Sequence, residues 1–172
     1  MNNSFALPAD LKSERKILSG WGKTKPVNCQ VVKPDSVQQL QALIKKAPSR
    51  SLIARGLGRS YGDAAQLDGG TVIELPLFDR IVLDSEQGII TAGSGVTLDQ
   101  ILRLIVPQGF FLPVTPGTRN VTVGGAIAAD VHGKNHHIDG SFGNFVKRLL
   151  LIDSNGDLQE LKPCGKDIFK NA

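Results

Sequence analysis

Arg55-Gly56-Leu57-Gly58-Arg59-Ser60-Tyr61-Gly62 follows directly on Ser51-Leu52-Ile53-Ala54, a short apolar run that reads as a strand. A glycine-rich loop leaving a strand is where phosphate-binding loops sit. The spacing of Gly56, Gly58 and Gly62 is G-x-G-x-x-x-G, which is neither the Rossmann fingerprint nor a Walker A loop, since no Gly-Lys-Ser/Thr follows. The chemistry still suits an anion. Glycines let backbone N–H groups turn inward and approach closely. Arg55 and Arg59 add positive charge, and Ser60 adds a hydroxyl donor. An ordinary glycine-rich turn is the competing reading.

Working outward, residues 29–32 form a second apolar run upstream. Pro34-Asp35-Ser36 then sets up a helix whose Val37, Leu40, Leu43 and Ile44 share one face. Pro48-Ser49 ends it, so the opening reads strand–helix–strand. Residues 1–20 read as a polar N-terminal extension, with Trp21-Gly22 as an anchor. Downstream, residues 71–75 read as a third strand. Residues 81–83 and 88–92 flank Asp84-Ser85-Glu86-Gln87, a hairpin signature. Thr97 is placed to cap a helix with Leu98, Ile101, Leu102 and Ile105 as its apolar stripe, stopped by Pro107-Gln108-Gly109. Residues 146–153 and 158–161 flank Ser154-Asn155-Gly156-Asp157, a second hairpin with tight-turn residues.

A second loop, Pro116-Gly117-Thr118-Arg119-Asn120-Val121-Thr122-Val123-Gly124-Gly125, runs into small residues with helical character. Small side chains let a helix press against a flat group or another backbone, and exposed N–H groups at its start favour an anion. A tightly packed core helix is the alternative. His132-Gly133-Lys134-Asn135-His136-His137 follows. His132 and His136 have the i, i+4 spacing that a helix would bring to one metal. Gly133 and Asn135 disfavour a helix there, and no acidic residue stands in HExxH register. A polar pocket wall is the preferred reading, with Lys134 favouring neutral imidazoles and able to stabilise a developing anion. No G-x-S-x-G elbow exists and neither cysteine has a histidine beside it, so a hydrolase lacks its parts. Asp130 and Asp139 flank the histidines without a pairing that the sequence shows.

Composition sets the outer limits. The chain has 172 residues, 19 of them Gly but only 9 aromatic, so the core is aliphatic. Twenty Lys and Arg against 16 Asp and Glu leave a net charge of +4. That is too mild and scattered for nucleic acid, and few aromatics are present for base stacking. No apolar run reaches the ~18 residues that span a bilayer. The opening residues lack a basic region followed by an apolar one, so they do not read as a secretory signal. A cytoplasmic or membrane-peripheral protein is expected. Cys29 and Cys164 form no CxxC pair and read as two thiols rather than a disulfide.

Taken together, residues 55–65 (RGLGRSYGDAA), 116–137 (PGTRNVTVGGAIAADVHGKNHH) and 140–144 (GSFGN) closely resemble the vanillyl-alcohol-oxidase, or PCMH-type, flavoproteins. The likeness runs from about residue 20 to 162. It implies an α+β fold of two subdomains clasping FAD, with a FAD-binding domain over residues 21–172. It implies that the stretch Arg55 to Ala65, with Asp63 and Ala64 included, cradles the pyrophosphate. It puts Gly117, Thr118, Thr122, Val123, Gly124 and Gly125 along the rest of the dinucleotide, and His132, Gly133, Lys134 and Asn135 beside the flavin ring. His132 and Lys134 are the candidates for shaping the catalytic pocket. Many relatives carry a histidine in the first loop, bonded covalently to flavin. The matching position here is Arg59, which implies noncovalent FAD. No metal is expected at the histidine group.

Members most like this chain oxidise a lipid-linked (decaprenylphosphoryl) ribose as the flavin subunit of an epimerase that works with a separate reductase. Others are soluble sugar-alcohol or aldonolactone oxidases. The expected activity is oxidation of a secondary alcohol to a ketone. Relatives continue into a substrate domain, so the resemblance implies a C-terminally truncated FAD-binding portion. Such a piece is expected to be inactive alone and to self-associate. A non-catalytic nucleotide-binding module is the rival reading.

Overall fold

The computed structural model describes residues 5–163 except 24 and 77. Six residues of uninterrupted or alternating apolar character make β2 (Val27–Val32), and Ser36 caps α1 (Val37–Lys46) by accepting the Gln39 N–H at 3.2 Å. β3 (Leu52–Ala54) and β4 (Thr71–Ile73) follow. The strand–helix–strand reading holds, but β2 and β3 are not neighbours. β4 lies between them, parallel to both, with Thr71 opposite Gln30 on one side and Leu52 on the other. Val32, Leu40, Leu43 and Ile73 make the core on the helix side. Val27, Cys29, Val31 and Val72 make it on the opposite face. Both faces of the parallel strands are covered, which is why β2 and β4 carry so few polar residues.

The N-terminal extension requires correction. Residues 13–18 form β1 (Ser13–Leu18), the antiparallel edge strand of this sheet, with Ser13 opposite Val32 and Leu18 opposite Val27. Only Leu18 of this strand packs against the core, and Ile17 is 72% exposed, so its pattern carries no alternating apolar signal. Trp21 does not anchor anything by burial, since it is 54% exposed. Cys29 is buried and donates its thiol to the Leu67 carbonyl at 3.2 Å, whereas Cys164 lies outside the described residues.

The second half is built on the hairpin β5 (Ile81–Asp84) and β6 (Ile89–Ala92), closed by Asp84, whose carboxylate accepts the N–H groups of Glu86 and Gln87. It packs with α2 (Leu98–Ile105), where Thr97 and Gln100 form a capping box. Val96, Leu98, Ile101 and Ile105 are its buried centre. α3 (Val123–Ala128) and the single turn α4 (His136–Asp139) come next. The last hairpin, β7 (Leu149–Ile152) and β8 (Leu158–Leu161), is joined by five residues around Gly156 rather than a two-residue turn. It returns to α1, where Gln41 donates to the Gly156 carbonyl at 2.8 Å. Among the described residues, no helix is long and apolar enough to cross a membrane.

Candidate cofactor-binding site

The glycine-rich loop leaves β3 with the Arg55 N–H still bound to the Ile73 carbonyl at 2.8 Å. From there the backbone changes character. Among the described residues, no N–H from Gly56 to Ala65 donates to another protein group, and the next to do so is Gln66, to Asp63 at 3.1 Å. Gly58 is buried, so its N–H lacks both a protein acceptor and open water. A buried donor left this way is costly and rare. Ten successive donors without internal partners suit an anion with many acceptor oxygens.

Arg55 does not serve as free positive charge. Its Nη1 donates to the Ala65 carbonyl and its Nη2 to the Ser19 carbonyl, both at 2.8 Å. The long side chain reaches back across the loop it begins. Arg59 differs. Its Nε donates to the Asn120 carbonyl at 3.1 Å and its guanidinium lies 4.3 Å over the Trp21 ring, while its two terminal nitrogens have no protein partner among the described residues. Tyr61 and Leu57 are exposed.

The second loop lies against the first. A Cβ at Gly56 would be driven into the Thr122 hydroxyl, so glycine there permits the close approach of the first loop to the cap of α3. The start of α3 does not present free donors, contrary to the anion reading. Val123 donates to Val96 at 2.7 Å, Gly124 to Ser94 at 2.9 Å, and Gly125 to the Thr122 hydroxyl at 3.1 Å. The small residues serve packing instead, with a Cβ on Gly124 coming within 3.1 Å of Ser94. Asp99 fixes the preceding turn. It accepts from Arg103 and Arg119 at 2.7 Å each, and its own N–H donates to the Arg119 carbonyl at 3.0 Å. The hydrogen bond from Arg103, helped by the charge of Arg119, holds the Asp99 carboxyl below its ordinary range. Gly117 and Thr118 are exposed on this turn.

The histidine segment is loop only from His132 to Asn135, and His136 and His137 open the single turn α4, so the i, i+4 pair does not share one helix. His132 forms an isolated β-bridge with Ser141, and Gly133 is pressed so close to the Thr115 carbonyl that a Cβ would sit 2.7 Å from it. Asn135 ties the segment down through Pro113 at 2.9 Å and Asp139 at 2.7 Å. The His132 and His136 rings nevertheless meet, 4.8 Å apart, with His137 3.9 Å beyond. His136 Nδ1 lies 3.0 Å from the Gly133 carbonyl, which fixes Nδ1 as the donor. Among the described residues, no group of three or more His, Cys, Asp or Glu is arranged to hold a metal.

Gly117, His132, Gly133, Lys134, Asn135 and His136 line an open groove of about 680 Å³ together with Phe111, Leu112, Pro113, Thr115 and Pro116. Phe111, Leu112 and Pro113 escaped the sequence reading because they carry no motif. Also unforeseen was Asp130, held at φ +40° with Oδ1 accepting the Gly143 N–H at 2.8 Å, which pins the Gly140–Asn144 segment to the end of α3.

A family model for an FAD-binding domain matches residues 29–162, which contain both loops and the groove. The chain belongs to this family. It is a flavoprotein domain of the vanillyl-alcohol-oxidase type, and FAD is its cofactor. Decaprenylphosphoryl-beta-D-ribose oxidase of Mycolicibacterium smegmatis is 46% identical over 156 residues, 88% of this chain and 34% of that protein. A D-lactate dehydrogenase of Archaeoglobus fulgidus is 30% identical over 75% of this chain and 30% of its own length. The mitochondrial L-galactono-1,4-lactone dehydrogenase of Arabidopsis thaliana is 22% identical over 96% of this chain and 27% of its own. The chain thus spans about a third of the length of these relatives. The FAD-binding family fits what the first loop shows: consecutive N–H donors without protein acceptors and a cationic side chain beside them.

Proposed function

We propose that this chain holds FAD for an oxidoreductase that converts a secondary alcohol of a sugar to a ketone, the sugar being a decaprenylphosphoryl ribose. The unengaged run of N–H groups from Gly56 to Ala65 carries the cofactor part of the reading. The 46% identity over 88% of the chain supports the substrate part. When bound, FAD supplies the two-electron acceptor for the carbinol hydride. The chain's residues bind and orient. The first loop takes the pyrophosphate on its N–H groups, with the terminal nitrogens of Arg59 as counter-charge. The turn at Gly117 and Thr118, held by Asp99, continues the dinucleotide track towards the groove. There, Lys134 would place an ammonium where the alcohol oxygen gains negative charge as its proton passes to water in the open groove, and His132 forms the adjoining polar surface. Phe111, Pro113 and Pro116 offer an apolar surface in the same groove to a prenyl-bearing substrate. The cofactor is held noncovalently, because a guanidinium at position 59 forms no histidyl–flavin link.

Titration of the flavin-free chain with FAD, followed by flavin fluorescence and repeated with ADP as competitor, tests the cofactor reading. Saturable binding that ADP displaces is expected. Failure of both nucleotides to bind overturns it. A second reading, an aldonolactone or sugar-alcohol oxidase, draws on the plant lactone dehydrogenase match over 96% of the chain. Preferential turnover of a lactone over a prenyl-phosphoryl pentose in a full-length protein carrying these residues would favour it.

A further inference from the structure

We propose that residues 19–21, together with Lys25, are a strap that holds the dinucleotide loop in its binding shape, and that Arg55 is a positioning residue acting through that loop and not a counter-charge on the phosphates. The inference rests on reading residues 55–65 as the pyrophosphate cradle.

The starting point is that the loop has nothing of its own to hold it. With no backbone N–H from Gly56 to Ala65 bound inside the described structure, it has no ladder, and its one backbone turn is at its end, where Gln66 donates to the Asp63 carbonyl at 3.1 Å. Such a segment would lose its order to conformational entropy unless side chains or other segments restrain it. Besides the second loop, which meets Gly56 at Thr122 and Arg59 at Asn120, the restraints come from the segment that follows β1. The Ser60 carbonyl accepts the Trp21 N–H at 2.7 Å. Gly20 lies so close that a Cβ there would sit 2.6 Å from the Ser60 oxygen and still closer to that of Gly62. Gln66, just past the loop and only 7% exposed, donates to the Lys25 carbonyl at 2.7 Å. Arg55 closes the arrangement, joining the far end of the loop at Ala65 to the strap at Ser19 with one guanidinium.

The ties from Trp21 and Arg55 use the loop's carbonyl oxygens, that from Gln66 uses a side chain, and all leave the loop's N–H groups alone. A loop held by its acceptors presents its donors, which is the polarity an anion site needs. Holding it beforehand removes part of the ordering cost of binding. The two arginines therefore divide the work. Both terminal nitrogens of Arg55 are engaged on carbonyls, whereas those of Arg59 are available beside Trp21. A planar fork is required to span two carbonyls facing from different segments, and an ammonium does not reproduce it.

The test uses the 172-residue chain, FAD as ligand and sodium chloride as variable. Arg55→Lys keeps the charge and loses the brace. Its FAD affinity is expected to fall about tenfold or more. Arg55→Gln is expected to weaken binding similarly and to keep the salt dependence of the native protein. Arg59→Gln is expected to flatten that dependence, because salt screens a charge that faces the ligand. Gly20→Ala changes no charge, and it is expected to weaken binding by pushing on the Ser60 and Gly62 carbonyls. Amide hydrogen exchange at Trp21 and Gln66, whose N–H groups are bound to the Ser60 and Asp63 carbonyls of the loop, measured without FAD, is expected to accelerate in Arg55→Lys and Gly20→Ala while the rest of the chain keeps its protection. Native affinity in Arg55→Lys, or a flattened salt dependence in Arg55→Gln, would overturn the proposal. So would unchanged exchange in both strap variants. If the native chain binds neither FAD nor ADP, the cradle reading fails, and the exchange measurement still decides whether the strap holds the loop.

Discussion

At the scale of single residues, Gly58 and Arg59 show what the first loop demands. Gly58 has φ +64°, a left-handed conformation that costs a residue with a Cβ about 1–2 kcal/mol. A Cβ there would also be driven into the Arg55 guanidinium, with Cζ only 2.7 Å away. Gly58→Val therefore strains the backbone and displaces the brace together. Its FAD affinity is expected to drop more than tenfold, a loss of at least about 1.4 kcal/mol, with far-ultraviolet circular dichroism near native. A folded variant with native flavin affinity would refute the loop assignment. The glycine spacing made Gly58 legible in the sequence. The use of Arg55 was not, because spacing reveals where a backbone bends and not which carbonyl a long side chain reaches. For Arg59 the expected outcome concerns attachment. Acid denaturation and filtration of the FAD-loaded protein should leave all flavin in the filtrate, and flavin retained in the precipitate would show a covalent link.

At the scale of elements, the two long helices were legible because stripe and cap agree. Ser36 and Thr97 stand one residue before apolar faces that do bury, at Leu40 and Leu43 in α1 and at Leu98, Ile101 and Ile105 in α2. The hairpins were legible from their turn runs, 84–87 and 154–157, and in the structure the carboxylates of Asp84 and Asp153 accept turn N–H groups. β1 was not, since an exposed edge strand with Glu14 paired to Lys16 buries too little to leave a period-two pattern. Nor was the insertion of β4 between β2 and β3, because parallel strand order is fixed by packing far along the chain. Asp99 joins the element scale to the site, since it holds Arg119 of the second loop against α2. Its carboxyl pKa is lowered, chiefly by the hydrogen bond from Arg103. A group depressed in the native state stabilises above its unfolded value, about 4 for an aspartate, and loses that contribution as pH falls through the lower native value. Asp99→Asn should therefore lower Tm at neutral pH, and the gap to the native protein should close as the solution is acidified below about pH 4. A gap independent of pH would show that the ion pairs with Arg103 and Arg119 do not hold the turn.

At the scale of the whole molecule, the question is whether the groove suffices for chemistry. Its walls stand open, and His132, Lys134 and His136 are all exposed. An ammonium in water stabilises a nearby alkoxide weakly, since an interaction worth about 4 kcal/mol at a protein surface falls to about 1 kcal/mol in bulk solvent. Hydride transfer also needs the carbinol carbon held in near-attack geometry, which an open groove does not impose. Around the groove and the first loop, Phe111 is 67% exposed, Tyr61 77% and Ile138 90%. Apolar side chains exposed to this degree favour association when they form a continuous patch. Relatives about three times as long have further chain with which to cover such a surface. The expected outcome for the 172-residue chain is FAD binding without turnover, together with elution ahead of the monomer position in sizing chromatography. The assay offers a prenyl-phosphoryl pentose, a polyol and an aldonolactone, each with a dye as electron acceptor. Dye reduction by a monomeric, FAD-loaded chain on any of the three would show that the open groove alone holds substrate well enough for catalysis, and the argument from its exposure would be wrong.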